Sequence, residues 1–304
     1  MGSEIRVAVE STAAAGSARL SDVPAWFDAW ERCLSRFVPE SELCALNRAG
    51  SSGMRVSDTL WDVVHAAVAA AEATSGMVTA TILPDLEAAG YDRTFEVIQD
   101  ADIRATAALV SPRAQDAYRS ITLNQADHMI SMPAGIRLDL GGIAKGWAAD
   151  RAASVLAAMG PAQVNAGGDI ALSGPRANGL PWQIAVASPT LPEEILGVLE
   201  LAQGGVATSS RHYRKWQQGD VWQHHLIDPT TGRPAQSDVL SATVVGPSAM
   251  VAEVAAKHAL LLGSGRALEW VDAHESLAAL LVLEDGTLLE SARMRQLWSS
   301  ALAL

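Results

Sequence analysis

The stretch RLDLGGIAKGWAAD, Arg137–Asp150, decides how the rest of the chain reads. An aspartate, a Gly-Gly pair, a lysine and a third glycine stand where a strand gives way to a helix. Gly141 and Gly142 carry no Cβ, so a ligand can approach the main chain closely there. The N–H groups at the start of the helix, with its dipole, favour an anion, and Lys145 adds a positive charge. That suits a phosphate. The plainer alternative is a tight strand-to-helix turn with a surface lysine. A P-loop is excluded, because Gly146 and Trp147 follow Lys145 where GxxxxGK[ST] needs Ser or Thr, and the glycine spacing does not fit GxGxxG either.

Around this stretch lies a globular chain. Its 304 residues are 49% hydrophobic, enough for a large core. The formal net charge of -12 argues against a nucleic-acid partner, which needs a basic footprint. No run approaches the length of about eighteen apolar residues that marks a membrane helix, and MGSEIRVAVES lacks the basic and apolar regions of a secretory signal. Cys33 and Cys44 suggest neither a disulfide framework nor a zinc site and read as core thiols of a cytoplasmic protein.

Periodicity predicts a strand at Ile5–Val9, a helix over 22–38, a helix started by Ser41 and stopped at Asn47–Gly50, and a long helix capped by Ser57 and ending at Gly76. Residues 100–120 give no clear pattern. ITLNQADHMISMPAGIRLDL reads as a hairpin of short strands. A helix over 144–159 follows, then strands with Gly-rich turns, helices in SAMVAEVAAKHALLLG and over 267–274, and a hairpin turning at Asp285-Gly286. Strands pair locally and helices come in blocks, which predicts an α+β fold in one compact domain, residues 1–304.

Three further Gly-rich segments carry polar side chains. VNAGGDIALSG brings Asn165, Gly167, Gly168 and Asp169; GGVATSSRHYRKW brings Thr208, Ser209 and Arg214; HHLIDPTTGRP brings His225 and Asp228. Each alone is a plausible turn. Together they fit a phosphate-bearing ligand lined by main chain.

In their order and content these segments resemble the FAD:protein FMN transferases, the ApbE or flavin-trafficking family. The likeness runs nearly end to end. MGSEIRVAV matches the family's opening strand, and LSRFVPESELCALNRAG and GYDRTF have counterparts. LDLGGIAKGWAAD, VNAGGDI, ATSS…YR and HHLIDPTTGRP are the specific signatures. The resemblance implies a duplicated T-fold-like α+β architecture with antiparallel sheets and packed helices. It implies FAD as the bound substrate and transfer of FMN to a Thr or Ser hydroxyl of an acceptor flavoprotein, with AMP leaving. Other outcomes for such a chain are FAD binding without transfer, and a FAD pyrophosphatase giving FMN and AMP.

By the same likeness His225 is the candidate general base or proton relay, since an unperturbed imidazole titrates near working pH. Its neighbour His224 points to the opposite face of an alternating strand. Asp228 either orients His225 or caps the DPTTG turn. Met1, Asp139, Gly141, Gly142, Lys145, Asn165, Gly167, Gly168, Asp169, Thr208, Ser209 and Arg214 are the expected flavin-site residues.

The departures concern the metal. The family's metal helix reads Ala-Asp-Ala-Leu-Ala-Thr, and its Asp and Thr bind Mg²⁺ with a carbonyl from the GGIAKG loop. Here AEVAAK puts Glu253 in place of the Asp and Lys257 in place of the Thr, with Ala144 as the carbonyl candidate. Glutamate can ligate a hard cation, but a charged lysine has only donors. Glu253 and Lys257 can instead form an i,i+4 ion pair. In GMVTAT, Thr79 stands for a family acid and Ala80 for a proline. The sequence therefore predicts a retained flavin frame and leaves Mg²⁺ dependence open.

Overall fold

The computed structural model describes residues 3–10, 19–99 and 114–300. The unpatterned segment 100–113 and Met1 lie outside the described residues. The chain divides into two compact units. One comprises Phe27–Ala144 and Arg214–Gln236; the other comprises Ser3–Trp26, Lys145–Tyr213 and Ser237–Leu304.

The second unit is a helix–sheet–sheet assembly. Its elements are β1 (Ile5–Val9), α1 (Ala144–Leu156), β2 (Ala162–Ala166), β3 (Asp169–Leu172), β4 (Trp182–Ala187), β5 (Ile195–Leu201), β6 (Gly204–Ser210), β7 (Val239–Gly246), α2 (Ala249–Leu262), α3 (Ser264–Asp272), β8 (Ala278–Leu283), β9 (Leu288–Glu290) and β10 (Trp298–Ser300). Seven strands form an antiparallel sheet in the order β1-β2-β3-β6-β7-β8-β9. A three-stranded sheet, β10-β5-β4, covers one face. Between the sheets lie Ile170, Leu172, Trp182, Ile184, Val186, Leu199, Leu201, Val206, Val245 and Leu280. β4 alternates buried and exposed residues, as a strand with one wet face must. β7 and β8 are almost wholly buried because they are covered on both faces; β8 reads as an unbroken apolar run, and β7 as an apolar run interrupted by the buried Ser241 and Thr243.

α2 lies on the other face. Its backbone comes so close to β6 that a Cβ on Gly205 would sit 2.1 Å from the Ala249 nitrogen. α1 approaches the first turn of α2 just as closely, since a Cβ on Gly146 would lie 2.6 Å from Met250 Cα. Ser248 caps α2 by accepting from the Val251 N–H. Asp150 of α1 accepts from the Ala249 and Met250 N–H groups at 2.8 and 2.9 Å. The free donors of that helix start are thus bonded within the unit.

In the first unit Ser41 and Ser57 cap the helices Glu42–Ala49 and Asp58–Ala73 as predicted. Helix 58–73 stops three residues before Gly76, which turns with φ 79°. Thr122–Asn124 and Met129–Ser131 pair as the expected hairpin, with Met54–Arg55 on the far side. The continuation toward Leu140 is not a strand. Leu138 bonds through both its N–H and its C=O to the Asn47 side chain, at 2.8 and 2.9 Å, in place of a neighbouring strand. A second core joins Leu86, Tyr91, Ile98, Trp216 and Ile227.

The α+β expectation holds, with antiparallel sheets and packed helices. Several readings need correction. The helix expected over 22–38 spans Val23–Leu34, and the one expected over 267–274 spans Ser264–Asp272. Helix 144–159 is α-helical only to Leu156, with a 3-10 turn over Ala157–Met159. Strand pairing is not all local: β1 pairs with β2 (Ile5 opposite Ala166), and β6 pairs with both β3 and β7.

His258 of α2 is 4% exposed, and its Nδ1 has no hydrogen-bond partner among the described residues. The Trp270 ring of α3 stands edge-on to it at 4.4 Å. Burial, with the charges of His274 and Arg266, pushes its pKa from 6.5 down to about 4. The unfolded chain therefore takes up this proton first as the pH falls, so the stability present above pH 6.5 is lost progressively toward pH 4. His258→Leu is expected to remove about 2 kcal/mol of the difference in unfolding free energy between pH 7 and pH 5. Urea melts of both proteins at the two pH values measure it. Equal pH slopes for the two proteins would show that His258 is not held neutral.

Candidate functional site

The opening stretch ends in a cluster of four charges inside the second unit. Lys145, in the first turn of α1, bonds to Asp169 Oδ2 at the start of β3 and to Glu253 Oε1 of α2, the latter at 3.0 Å. Glu253 Oε2 accepts from the Gly146 N–H at 2.9 Å. Lys257, one turn further along α2, approaches Glu253 Oε1 at 3.8 Å. Both carboxylates are 3% exposed, Lys145 20% and Lys257 16%.

Two ammonium and two carboxylate groups balance, as burial requires. Burial disfavours the Lys145 charge, yet Asp169 and Glu253 more than compensate and raise its pKa. Burial pushes Asp169 up to about 6, against the attraction of Lys145 and with repulsion from Glu253. For Glu253 burial also acts upward, but Lys145, Lys257 and the Gly146 N–H outweigh it and hold the carboxyl below its ordinary value.

Nearby loops place the other expected residues. Gly167 and Gly168 form the two-residue turn between β2 and β3, both with positive φ (65° and 99°). That is the geometry for which Gly-Gly is chosen in a tight hairpin. Asn165 Oδ1 accepts from the Gly168 N–H at 2.8 Å and fixes the turn. Thr208 Oγ1 meets Thr243 Oγ1 of β7 at 2.8 Å. Alternation sends Ser209 to the α2 face with Gly205, and Thr208 to the opposite face with Val206.

The first unit carries the rest. Asp139 accepts from Arg36 Nε at 2.5 Å through Oδ2 and from the Gly141 N–H at 2.8 Å through Oδ1. The Gly141 amide is therefore spent on shaping its own loop. Ala144 N–H, next to Gly142 and Ile143, donates to Leu140 O at 2.9 Å and opens the helix. Arg36 also donates to Tyr91 O at 2.7 Å and lies over the Phe37 and Tyr91 rings, 4.0 and 4.7 Å from their centroids. Burial raises the Tyr91 phenol pKa, against the charges of Arg214 and Arg36.

His225 follows the hairpin Lys215–Gln218/Val221–His224 and is half-buried. Its N–H points to Arg214 O at 3.4 Å. His224 is structural: Nδ1 accepts from Leu226 N–H at 3.3 Å, which leaves Nε2 to donate to Ala235 O at 3.0 Å. Asp228 Oδ1 accepts from the Thr230 N–H and hydroxyl, at 2.8 and 2.6 Å, so it caps the DPTTG turn. Trp216 anchors the hairpin by donating to Ala89 O at 2.9 Å.

Three residues beyond the expected set do positioning work. Arg36 and Asn47 hold Asp139 and Leu138, and Asp150 holds the start of α2. Arg36 and Asn47 lie in LSRFVPESELCALN, a segment whose order had a counterpart in the family but whose partners Asp139 and Leu138 lie 103 and 91 residues away.

A divalent metal does not fit the residues present. Both oxygens of Glu253 are engaged by donors, and Lys257 offers only donors beside them. Among the described residues no group of three or more His, Cys, Asp or Glu could hold a metal ion.

The profile of the ApbE family matches residues 1–281. The FAD:protein FMN transferase of Salmonella typhimurium is 28% identical over 297 residues, 94% of this chain and 83% of that protein. The one from Treponema pallidum is 29% identical over 304 residues, 95% of this chain and 83% of that protein. The crystal structure of the ApbE protein of Thermotoga maritima superposes with a TM-score of 0.85 at 24% identity, covering 97% and 96% of the two chains, and shares the fold. The chain belongs to the ApbE family. No helix of the described residues is long and apolar enough to cross a membrane.

Removing Lys145 strands two buried carboxylates, whereas removing Lys257 leaves Glu253 with Lys145 and Gly146. Lys145→Met is expected to cost about 3–5 kcal/mol of stability, the range for breaking a buried pair. Lys257→Met should cost clearly less. Guanidinium unfolding of the two variants reads this order, and a Lys145→Met protein within about 1 kcal/mol of wild type would mean that solvent screens the cluster.

Proposed function

We propose that this chain transfers FMN from FAD to a hydroxyl of an acceptor protein and releases AMP. The observation that carries the reading is likeness to FAD:protein FMN transferases along some 94–95% of the chain. Residues 1–304 act as one ApbE domain in this reading. Cytoplasmic placement belongs to it as well and rests on the sequence alone.

The reaction is a displacement at phosphorus. The acceptor oxygen, from Thr or Ser, attacks the phosphorus beside the riboflavin. The bond from that phosphorus to the oxygen shared with the adenylate breaks, and AMP leaves with the electron pair. The hydroxyl proton passes to a base and on to the leaving phosphate or to solvent. His225 is assigned that base. An imidazole titrates near neutral pH, so it can take and return a proton in each turnover. Its neighbour His224 is committed to the turn by both ring nitrogens, which leaves His225 as the relay of the pair.

The remaining work is positioning and charge. The Arg36–Asp139–Gly141 chain fixes the loop before α1. Asn165 with Gly167 and Gly168 presents a glycine turn that main-chain contacts to a phosphate can use. Asp228 keeps the DPTTG turn closed behind His225. No step passes through a metal, because the donor set does not fit one.

Incubation with FAD and a Thr-containing acceptor peptide, followed by mass spectrometry, tests the reading. The expected result is one FMN on the peptide, equimolar AMP and no product with the Thr→Ala peptide. AMP and free FMN with unmodified peptide would make the protein a pyrophosphatase and overturn it. His225→Ala should lower turnover by roughly 10²–10⁴-fold, the usual contribution of a general base, while FAD affinity by calorimetry changes little. Full turnover in that variant would remove His225 from the mechanism.

A further inference from the structure

The four-charge cluster bears on how the substrate's charge is met. This inference rests on the reading above that the chain binds FAD. A diphosphate needs positive charge beside it, during binding and as the adenylate departs. In this family the resemblance assigns that charge to a divalent ion at the AEVAAK helix. Here the same helix carries Glu253 and Lys257, and the space around Glu253 is filled by donors: Lys145 Nζ at 3.0 Å, the Gly146 N–H at 2.9 Å and Lys257 Nζ at 3.8 Å. A dication placed here would meet two fixed ammonium charges, and it would have to compete with a backbone N–H and an ammonium for the Glu253 oxygens.

The two lysines differ. Lys145 is held by both carboxylates within bonding distance, so Asp169 and Glu253 absorb its charge. Lys257 stands beyond hydrogen-bond length from Glu253, close enough for that carboxylate to orient its side chain. An ammonium has three N–H donors, so one that the protein already engages can still donate to a phosphate oxygen. By the resemblance, Lys257 also stands where the family has a metal-binding Thr.

We propose that this chain meets the FAD diphosphate without a divalent cation, the ammonium of Lys257 supplying the charge that a metal would supply. Glu253 holds and orients that ammonium, and Lys145 balances Glu253 and Asp169. A fixed ammonium neutralises and hydrogen-bonds but does not act as a Lewis acid on the phosphoryl oxygen. Binding and transfer therefore ignore chelators.

The test uses the full chain in three arms. First, Mn²⁺ is titrated into the metal-free protein without flavin and followed by electron paramagnetic resonance; wild type is expected to bind none stoichiometrically. Second, FAD affinity is measured by calorimetry in EDTA and in Mg²⁺; the two values should agree within about twofold. Third, Lys257→Met should weaken FAD binding by at least about tenfold, one charge-assisted contact, with no rescue by Mg²⁺. Glu253→Asp with Lys257→Thr should gain Mn²⁺ binding and make FAD affinity chelator-sensitive. Stoichiometric Mn²⁺ binding by wild type, or a tenfold loss of its FAD affinity on chelation, overturns the proposal while the flavin reading stands. Lys257→Met with wild-type FAD affinity overturns the role of that ammonium even if no metal binds. No FAD binding by wild type in either buffer overturns the flavin reading, and this inference with it. The first two arms need no variant, so a poorly folding Lys257→Met leaves the proposal exposed to disproof.

Discussion

The interaction on which the second unit depends is the bond of Lys145 to Asp169 and Glu253. It ties the first turn of α1 to the start of β3, 24 residues on, and to an early turn of α2, 108 residues on. Its constraint is electrical. Two carboxylates that are 3% exposed must be matched by cations at bonding distance, or one of them takes up a proton. Asp169 is already part of the way there, with its pKa pushed up to about 6. The glycines follow from the same need. Gly146 and Gly205 let the start of α2 come in close enough for Glu253 to reach both Lys145 and the Gly146 amide.

In the first unit a different residue sets the order. Arg36 lies against the neighbouring Phe37 and Tyr91 rings and is bonded to Asp139 and to the Tyr91 carbonyl, so its guanidinium is spent on the protein itself. Arginine suits this because its planar fork can satisfy a carboxylate and a carbonyl while stacking on rings. Through Asp139 that order passes to the Gly141 amide and so to the loop in front of α1.

Much of this could be read from the sequence. Ser41, Ser57 and the Asp285-Gly286 turn act locally, and local chemistry is visible in a local window. The α+β class followed from the mixture of periods, and the family from four Gly-rich segments in order. Less legible were the partners. Lys145 looked like a cation open to phosphate; burial of Asp169 and Glu253 beside it turned it into a structural counter-charge. The Gly141 amide looked like an anion donor, yet Asp139 claims it from two residues away. Leu138 continued an apolar alternation but took Asn47 as its neighbour, a partner 91 residues distant that no window contains. Lys257 was the exception, since a lysine four residues after Glu253 put metal binding in question from the sequence alone.

The bonds at the start of α2 also set a schedule for synthesis. Ala249 and Met250 are held by Asp150, 99 and 100 residues earlier, and Gly146 by Glu253, 107 residues later. At about 5–20 residues per second, the ribosome delivers α1 roughly 5–20 s before α2 exists. Through that interval Gly146 has no helix to press against, and Lys145 has only Asp169 of its two final counter-charges. The second unit thus cannot close from its N-terminal side inward. Its buried charges come to balance late, when residues 249–253 emerge from the exit tunnel and dock onto elements that have been waiting in water.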